Sequence, residues 1–272
     1  MVKSSTKFRQ LDDAVVEKEL LRRFHHHPAL WKLLDRDEKH LERNSKVKDL
    51  VRAVRGSLFP LHSLYYGKRA TKRDGLLRKL AKKSDDLELH REILHCHTST
   101  RERLSFYEDL YREIFEITGV PARILDLGCG LNPVSVPFMH LKDITYIASD
   151  FTQGDCEFLH GYFDVVGLKG EVVQLDLLED KDLKKLQSLE FVDVCFMFKL
   201  ADILDRKRHK RSELVLQAVN SRYIIVSFST KTISGQPMDR PRRGWFEMML
   251  KRLGYLYEVI EKKNEIFYVV KK

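Results

Sequence analysis

The residues with the most chemical content lie at Asp126-Leu127-Gly128-Cys129-Gly130. An apolar run ends in the Asp126 carboxylate, and two glycines then turn the chain toward Asn132-Pro133. Without a Cβ, Gly128 and Gly130 let the main chain bend sharply and come close to a ligand. In an α/β sheet such a turn opens a nucleotide crevice at the carboxyl end of the first strand. A second acid, Asp150, ends another apolar run 24 residues after Asp126. A carboxylate there accepts hydrogen bonds from ribose hydroxyls. Asp176 closes a third run and is placed to reach an adenine edge. Dinucleotide fingerprints need a third glycine or an alanine where Pro133 stands, for close packing under a pyrophosphate. Pro133 cannot serve that way, although it suits the first turn of a helix. A tight turn with no ligand is the alternative, and the downstream acids weigh against it.

An acid before the glycines is the pattern of S-adenosylmethionine (AdoMet) methyltransferases, whose cofactor carries no phosphate. AdoMet is therefore the expected cofactor, held by Asp126, Gly128, Cys129, Gly130, Asp150, Asp176, Leu177 and Phe198. Arg101 and Arg103 stand near the start of a helix, where a cation opposes the dipole, so an anionic partner is expected. The AdoMet carboxylate, an RNA phosphate and a plain salt bridge to Asp126 all qualify. Arg101 is assigned to the cofactor, and Arg103, with Lys199, to the catalytic group. Lys199 ends the fourth strand, where it meets a nucleotide phosphate or seats the cofactor; a strand-end lysine in solvent is the plainer option. Enzymes that methylate exocyclic amines often carry Asn/Asp-Pro-Pro-aromatic at that point, whereas this chain has Phe198-Lys199-Leu200-Ala201-Asp202. No cysteine lies in a Pro-Cys setting suited to attack through a pyrimidine C5. A ring nitrogen with a free lone pair fits better. It attacks a sulfonium methyl without losing a proton, so positioning matters more than a general base.

The elements that must hold these residues can be read from periodicity. Residues 11–24 read as an amphipathic helix, and residues 29–54 as another, with Gly56, Pro60 and Gly67 punctuating the next stretch. His25-His26-His27 would point in different directions on a helix, so a surface helix end is expected rather than a metal site. Lys68-Arg69-Ala70-Thr71-Lys72-Arg73 is a basic loop leading into a basic helix, and Ser84 is a plausible cap for residues 85–95. Thr98, Ser99 or Thr100 caps the next helix, which Gly119-Val120-Pro121 stops. Strands are expected at 123–127, 144–150, 172–177, 191–198 and 222–229, a helix at 244–253, and a closing hairpin across Lys262-Lys263-Asn264. The fold class is thus α/β, a Rossmann-like seven-stranded AdoMet-dependent methyltransferase fold preceded by a small all-helical domain. The expected domains are a basic helical RNA-docking domain, 1–96, and the methyltransferase domain, 97–272.

Charge supports that division. The 272 residues carry a formal net charge of +9, and residues 1–90 hold 22 Lys and Arg against 13 Asp and Glu, with 27 of each sign in the remainder. A localised basic excess is the footprint of a polyanion, most often nucleic acid, although a solvated lysine-rich surface produces the same count. Lys68, Arg69, Lys72 and Arg73 are the expected RNA contacts. Phe106, Tyr107 and Trp245 are candidates to stack on a flipped base, or are simply core. Cys96, Cys129, Cys156 and Cys195 form no CxxC pair, which argues against structural zinc or a disulfide framework. No apolar stretch approaches the roughly 20 residues needed to span a bilayer, and the amino terminus lacks a signal-peptide core. A cytoplasmic monomer with no metal is expected.

Several pieces in order resemble the aminoglycoside-resistance 16S ribosomal RNA (guanine-N7) methyltransferases. They are His97-Thr98-Ser99-Thr100-Arg101-Glu102-Arg103-Leu104, Ile124 to Pro133, Phe198-Lys199-Leu200, Val226 to Gly235, Trp245-Phe246-Glu247 and Glu265 to Val270. The resemblance implies methyl transfer to N7 of a decoding-site guanine of 16S rRNA within the 30S subunit, and with it aminoglycoside resistance. It covers residues 90–272 well and the basic front more loosely. The chain departs from the family at Ala201-Asp202, where Leu-Pro is common, and at Ser229, where Ser-Phe-Pro is usual. Two other readings stand beside this one: methylation of another RNA position or a small molecule, and a non-catalytic RNA-binding protein on the same scaffold.

Overall fold

The computed structural model describes residues 2, 13–26, 38–65, 72–205, 210–232, 236–239 and 241–272. Lys68 and Arg69 lie outside the described residues. The chain forms two compact units, 1–70 and 71–272.

In the first unit, α1 (Asp13–His26), α2 (Glu38–Arg43) and α3 (Ser45–Tyr65) enclose Val2, Val16, Phe24, Leu50 and Val54. The single helix expected over 29–54 is interrupted at Asn44, whose side-chain oxygen accepts the Lys46 amide at 2.9 Å and starts α3. Gly56 and Pro60 do not end α3, which runs through both. Each weakens a helix by a bounded amount, and burial of Leu50 and Val54 on the same helix offsets it.

The second unit begins earlier than the expected boundary after residue 96. Helices α4 (Arg73–Leu80) and α5 (Leu87–Leu94) bury Leu76, Leu80, Ile93 and Leu94 in the same apolar cluster as the sheet, so they belong with it. This moves most of the basic excess forward: residues 1–70 hold 16 Lys and Arg against 9 acids, and 71–272 hold 33 against 31. Asp86, not Ser84, caps α5, accepting the Glu88 and Leu89 amides. The helix expected after residue 98 is two, α6 (Thr98–Arg103) and α7 (Tyr107–Thr118). Thr100 does not cap; its hydroxyl donates back to Leu94 O at 2.5 Å and His97 O at 3.2 Å.

The sheet is β1 (Arg123–Leu127), β2 (Thr145–Asp150), β3 (Gly170–Gln174), β4 (Val192–Phe198), β5 (Ser221–Ser229), β6 (Leu256–Lys262) and β7 (Glu265–Lys271). Its order is β3-β2-β1-β4-β5-β7-β6, with β7 antiparallel to both neighbours. A 3₁₀ helix (Asn132–Met139) follows β1, with Pro133 in its first turn. The connections run through α8 (Gln153–Val166), α9 (Asp180–Gln187), α10 (Ala201–Leu204), α11 (Arg211–Ala218) and α12 (Gly244–Leu253). Strand order reverses between β1 and β4, and a ligand crevice in such sheets opens at the carboxyl ends beside that reversal. Gly128-Cys129-Gly130 and Lys199 flank it. The third strand ends at Gln174, so Asp176 and Leu177 fall in the loop beyond: Asp176 O accepts the Glu179 amide and its carboxylate accepts that of Leu178. No described helix is long and apolar enough to cross a membrane.

Candidate active site

Gly128 and Gly130 both adopt positive φ, +60° and +50°, which L side chains rarely tolerate. The space is also taken. A Cβ on Gly128 would meet Leu200 at 2.8 Å, and one on Gly130 would meet the His97 ring at 3.3 Å. The glycine turn is therefore wedged between the start of α6 and the end of β4.

Asp126 is fully buried, and its Oδ2 accepts from Asn132 Nδ2 at 2.9 Å and Tyr146 OH at 2.7 Å. Its Oδ1 is buried with no hydrogen-bond partner among the described residues. Burial pushes Asp126 up to about 7, opposed by those two donors and by the charge of Arg103. An unpaired buried carboxylate oxygen is costly alone and suits a cationic ligand group. Asp150 accepts the Gly130 amide at 3.1 Å and the Thr152 amide at 3.1 Å, which holds its carboxylate against the turn. Burial raises Asp150 as well, against those same donors. The Cys129 amide donates to Ser149 O at 3.0 Å, while its thiol is buried and pushed well up, so this residue contributes through its backbone. These residues form a cradle whose chemistry suits AdoMet: two buried carboxylates, one with an oxygen unpaired among the described residues, and glycines admitting close approach.

Arg103 differs from expectation. It is buried and its anion is Glu265, held by two parallel bonds with Nε at 3.0 Å and Nη2 at 2.8 Å, not Asp126. Its guanidinium also lies over the Phe198 ring at 4.7 Å. Enclosed this way, Arg103 supports the site rather than reaching the reactants. Burial alone would raise Glu265, yet Arg103 and Lys199 hold it below the usual carboxylate range. Lys199 sits at φ +55°, unusual for a non-glycine residue, with its amide on Ser227 Oγ at 2.9 Å. That backbone turns its ammonium onto Glu102 at 2.6 Å and Glu265 at 3.4 Å. Arg101, partly buried on α6, makes no ion pair among the described residues, which leaves it able to take a carboxylate. His97 is enclosed among Arg103, Lys199, Arg73 and Arg101; burial and those cations push it down to about 3, so it is neutral at pH 7.

Other expected residues spread out. Arg73 is not a free RNA contact: it pairs with buried Asp155, donates to Gly154 O at 3.0 Å and covers Phe158. Lys72 is exposed. Tyr107 is core, stacked on Tyr111 with its hydroxyl on Asn132. Phe106 and Trp245 are partly buried. The four cysteines are buried, and none is joined to another. Glu265, Asn132, Glu102 and Ser227 drew no role from the sequence. The signal was their position: all four lie in the stretches that resemble the family, and Glu265 is also an acid opening an otherwise apolar run.

Known proteins resemble this chain in sequence and in fold. The family model described as ribosomal RNA methyltransferase (FmrO) matches residues 36–269. The chain is 31% identical over 245 residues to the 16S rRNA (guanine(1405)-N(7))-methyltransferase of Proteus mirabilis, covering 83% of this chain and 85% of that protein. A protein of the same name from Micromonospora echinospora is 30% identical over 235 residues, covering 83% and 84%. Among solved structures, 16S rRNA methyltransferase RmtF in complex with S-adenosyl-L-homocysteine matches with a TM-score of 0.73 at 21% identity, over 100% of this chain and 95% of that one. The 16S rRNA methylase ArmA matches with a TM-score of 0.56 at 25% identity, over 72% and 97%. The match over most of its length, on a sheet whose crevice holds the expected glycines and acids, places this chain in the ribosomal RNA methyltransferase (FmrO) family.

Proposed function

We propose that the protein methylates N7 of a guanine in 16S rRNA, using AdoMet, on the assembled 30S subunit as a monomer in the cytoplasm. The observation that carries the cofactor is the buried Asp126 Oδ1, unpaired among the described residues, beside the positive-φ glycine turn. The base and the atom come from the relatives, which are named for guanine-N7 methylation of 16S rRNA.

When bound, AdoMet supplies an electrophilic methyl on a sulfonium. Asp126 faces the ammonium, Arg101 takes the carboxylate and Asp150 the ribose hydroxyls, with Asp176, Leu177 and Phe198 completing the walls. Guanine N7 carries a lone pair and no proton, so the protein need not remove one; it must hold the base in line and keep water out. Lys199, Glu102, Glu265 and Arg103 make a rigid ionic floor for that alignment. Phe106 and Trp245, both partly buried, are the aromatics proposed to stack on an extruded base. The basic first unit, with Lys68 and Arg69 at its end and Lys72 just beyond, docks on phosphates of the folded RNA. Methylation of a decoding-site guanine in this way would protect the cell from aminoglycosides.

The test uses tritiated AdoMet with purified 30S subunits, followed by mapping of the labelled nucleotide. Label on a decoding-site guanine that cleaves under N7-methylguanine chemistry supports the proposal. Label elsewhere moves the target, and AdoMet binding without label points to another substrate.

A further inference from the structure

Two buried polar systems meet at Asn132. Its Oδ1 accepts from Tyr107 OH at 3.0 Å and Arg103 Nη1 at 3.5 Å, and its Nδ2 donates to Asp126 Oδ2 at 2.9 Å. The donors on one side fix the amide's orientation: oxygen must face Arg103 and Tyr107, and nitrogen must face Asp126. Asn132 is 1% exposed and sits after the glycine turn at the head of the 3₁₀ helix, so it is held by backbone and by three side chains. Tyr146 supplies the second donor to the same Asp126 oxygen, at 2.7 Å. With Oδ2 satisfied twice, the carboxylate cannot rotate, and Oδ1 alone remains for a ligand.

We propose that Asn132, with Tyr146, is a positioning residue that aims the free oxygen of Asp126 at the ammonium of the bound nucleoside-amino acid and ties that aim to the Arg103–Glu265 pair. The inference rests on the AdoMet reading of the crevice. Neither residue touches the ligand; both act through Asp126. The groups facing Asp126 are Arg103 from α6, Tyr107 and Tyr111 from α7, Cys129 and Asn132 from the turn, Tyr146 and Asp150 from β2, and Cys195 from β4. Arg103 is the cation among them, and Asn132 and Tyr146 are the direct donors, so both stabilise the charged carboxylate. Loss of either donor frees the carboxylate to turn and favours its protonation, and each effect weakens the hold on an ammonium.

Calorimetric titration with S-adenosylhomocysteine and with 5′-methylthioadenosine tests this. Both are thioethers, and only the first carries the amino-acid group. For Asn132→Leu and for Tyr146→Phe, which keeps the ring and its packing, we expect S-adenosylhomocysteine to bind about tenfold more weakly, the scale of one hydrogen bond to a charged group. Methylthioadenosine should bind as it does to the unsubstituted protein, which also reports that the crevice is folded. Raising the pH from 6.5 to 8.5 should recover part of the lost affinity, because ionisation of Asp126 returns. Equal weakening of both ligands, or unchanged S-adenosylhomocysteine binding in both variants, overturns the proposal. Failure of the unsubstituted protein to bind either ligand overturns the cofactor reading itself, and this inference with it.

Discussion

Glu265→Gln is the sharpest perturbation of the site's floor. The carboxylate is fully buried and takes both parallel bonds from Arg103, the Ser227 hydroxyl, and the Lys199 ammonium at 3.4 Å. Glutamine keeps the shape and removes the charge, leaving the Arg103 guanidinium buried opposite a neutral amide. Removing one partner of a buried pair costs about 3–5 kcal/mol. For a unit of this size each kcal/mol is about 2–4 °C, so melting should fall by about 6–20 °C. Differential scanning calorimetry of the full chain measures it. Arg103→Met combined with Glu265→Gln removes both charges. That double variant should be more stable than the sum of the singles predicts, by about 1–3 kcal/mol. A Glu265→Gln protein within about 1 kcal/mol of the parent, or a strictly additive double variant, would refute the claim that this pair holds the floor together. The pH dependence has a definite sign. The folded-state pKa of Glu265 is depressed, so its contribution is present above the ordinary carboxylate range and is lost as pH falls through the depressed value.

Asp150→Ala should weaken AdoMet binding by at least about tenfold, as loss of hydrogen bonds to a charged acceptor implies, with the circular dichroism unchanged; unaltered affinity would remove the ribose assignment. Asp126, pushed up to about 7 by burial, contributes stability to the ligand-free protein that is complete below the ordinary carboxylate pKa and is lost as pH rises through about 7. AdoMet affinity should rise over that same upper window, and a flat profile from pH 5.5 to 8 would contradict it. Replacing Lys68, Arg69 and Lys72 by glutamine should weaken 30S binding and flatten its salt dependence, by about 0.7–0.9 in slope for each phosphate no longer neutralised. Arg73→Ala, in contrast, should lower the melting temperature, because it leaves buried Asp155 with the Thr152 hydroxyl but without its cation; a protein that melts like the parent and merely binds RNA less well would restore Arg73 to the RNA surface.

What the sequence by itself determined is local. A run of apolar residues closed by Asp126 and two glycines makes a strand and a tight turn wherever it is placed, because backbone sterics decide both. The spacing of Asp150, the buried run ending at Phe198, and the hairpin at Lys263-Asn264 were readable for the same reason, and the sheet and cofactor crevice came with them. Element ends were less legible. Asn44 broke an expected helix in two, Asp86 displaced Ser84 as a cap, and Asp176 fell just beyond its strand, because single hydrogen bonds settle such boundaries. Only the tertiary structure decided which charge meets which. Arg103 and Glu265 are 162 residues apart in the chain, and Arg73 and Asp155, which join α4 to α8, are 82 apart. A sequence shows that an arginine near a helix start wants an anion, and many acids satisfy that want. The partner is chosen by how β7 lies beside β5 and how α6 packs over its end, since burial leaves room for one carboxylate and excludes the water that would otherwise serve.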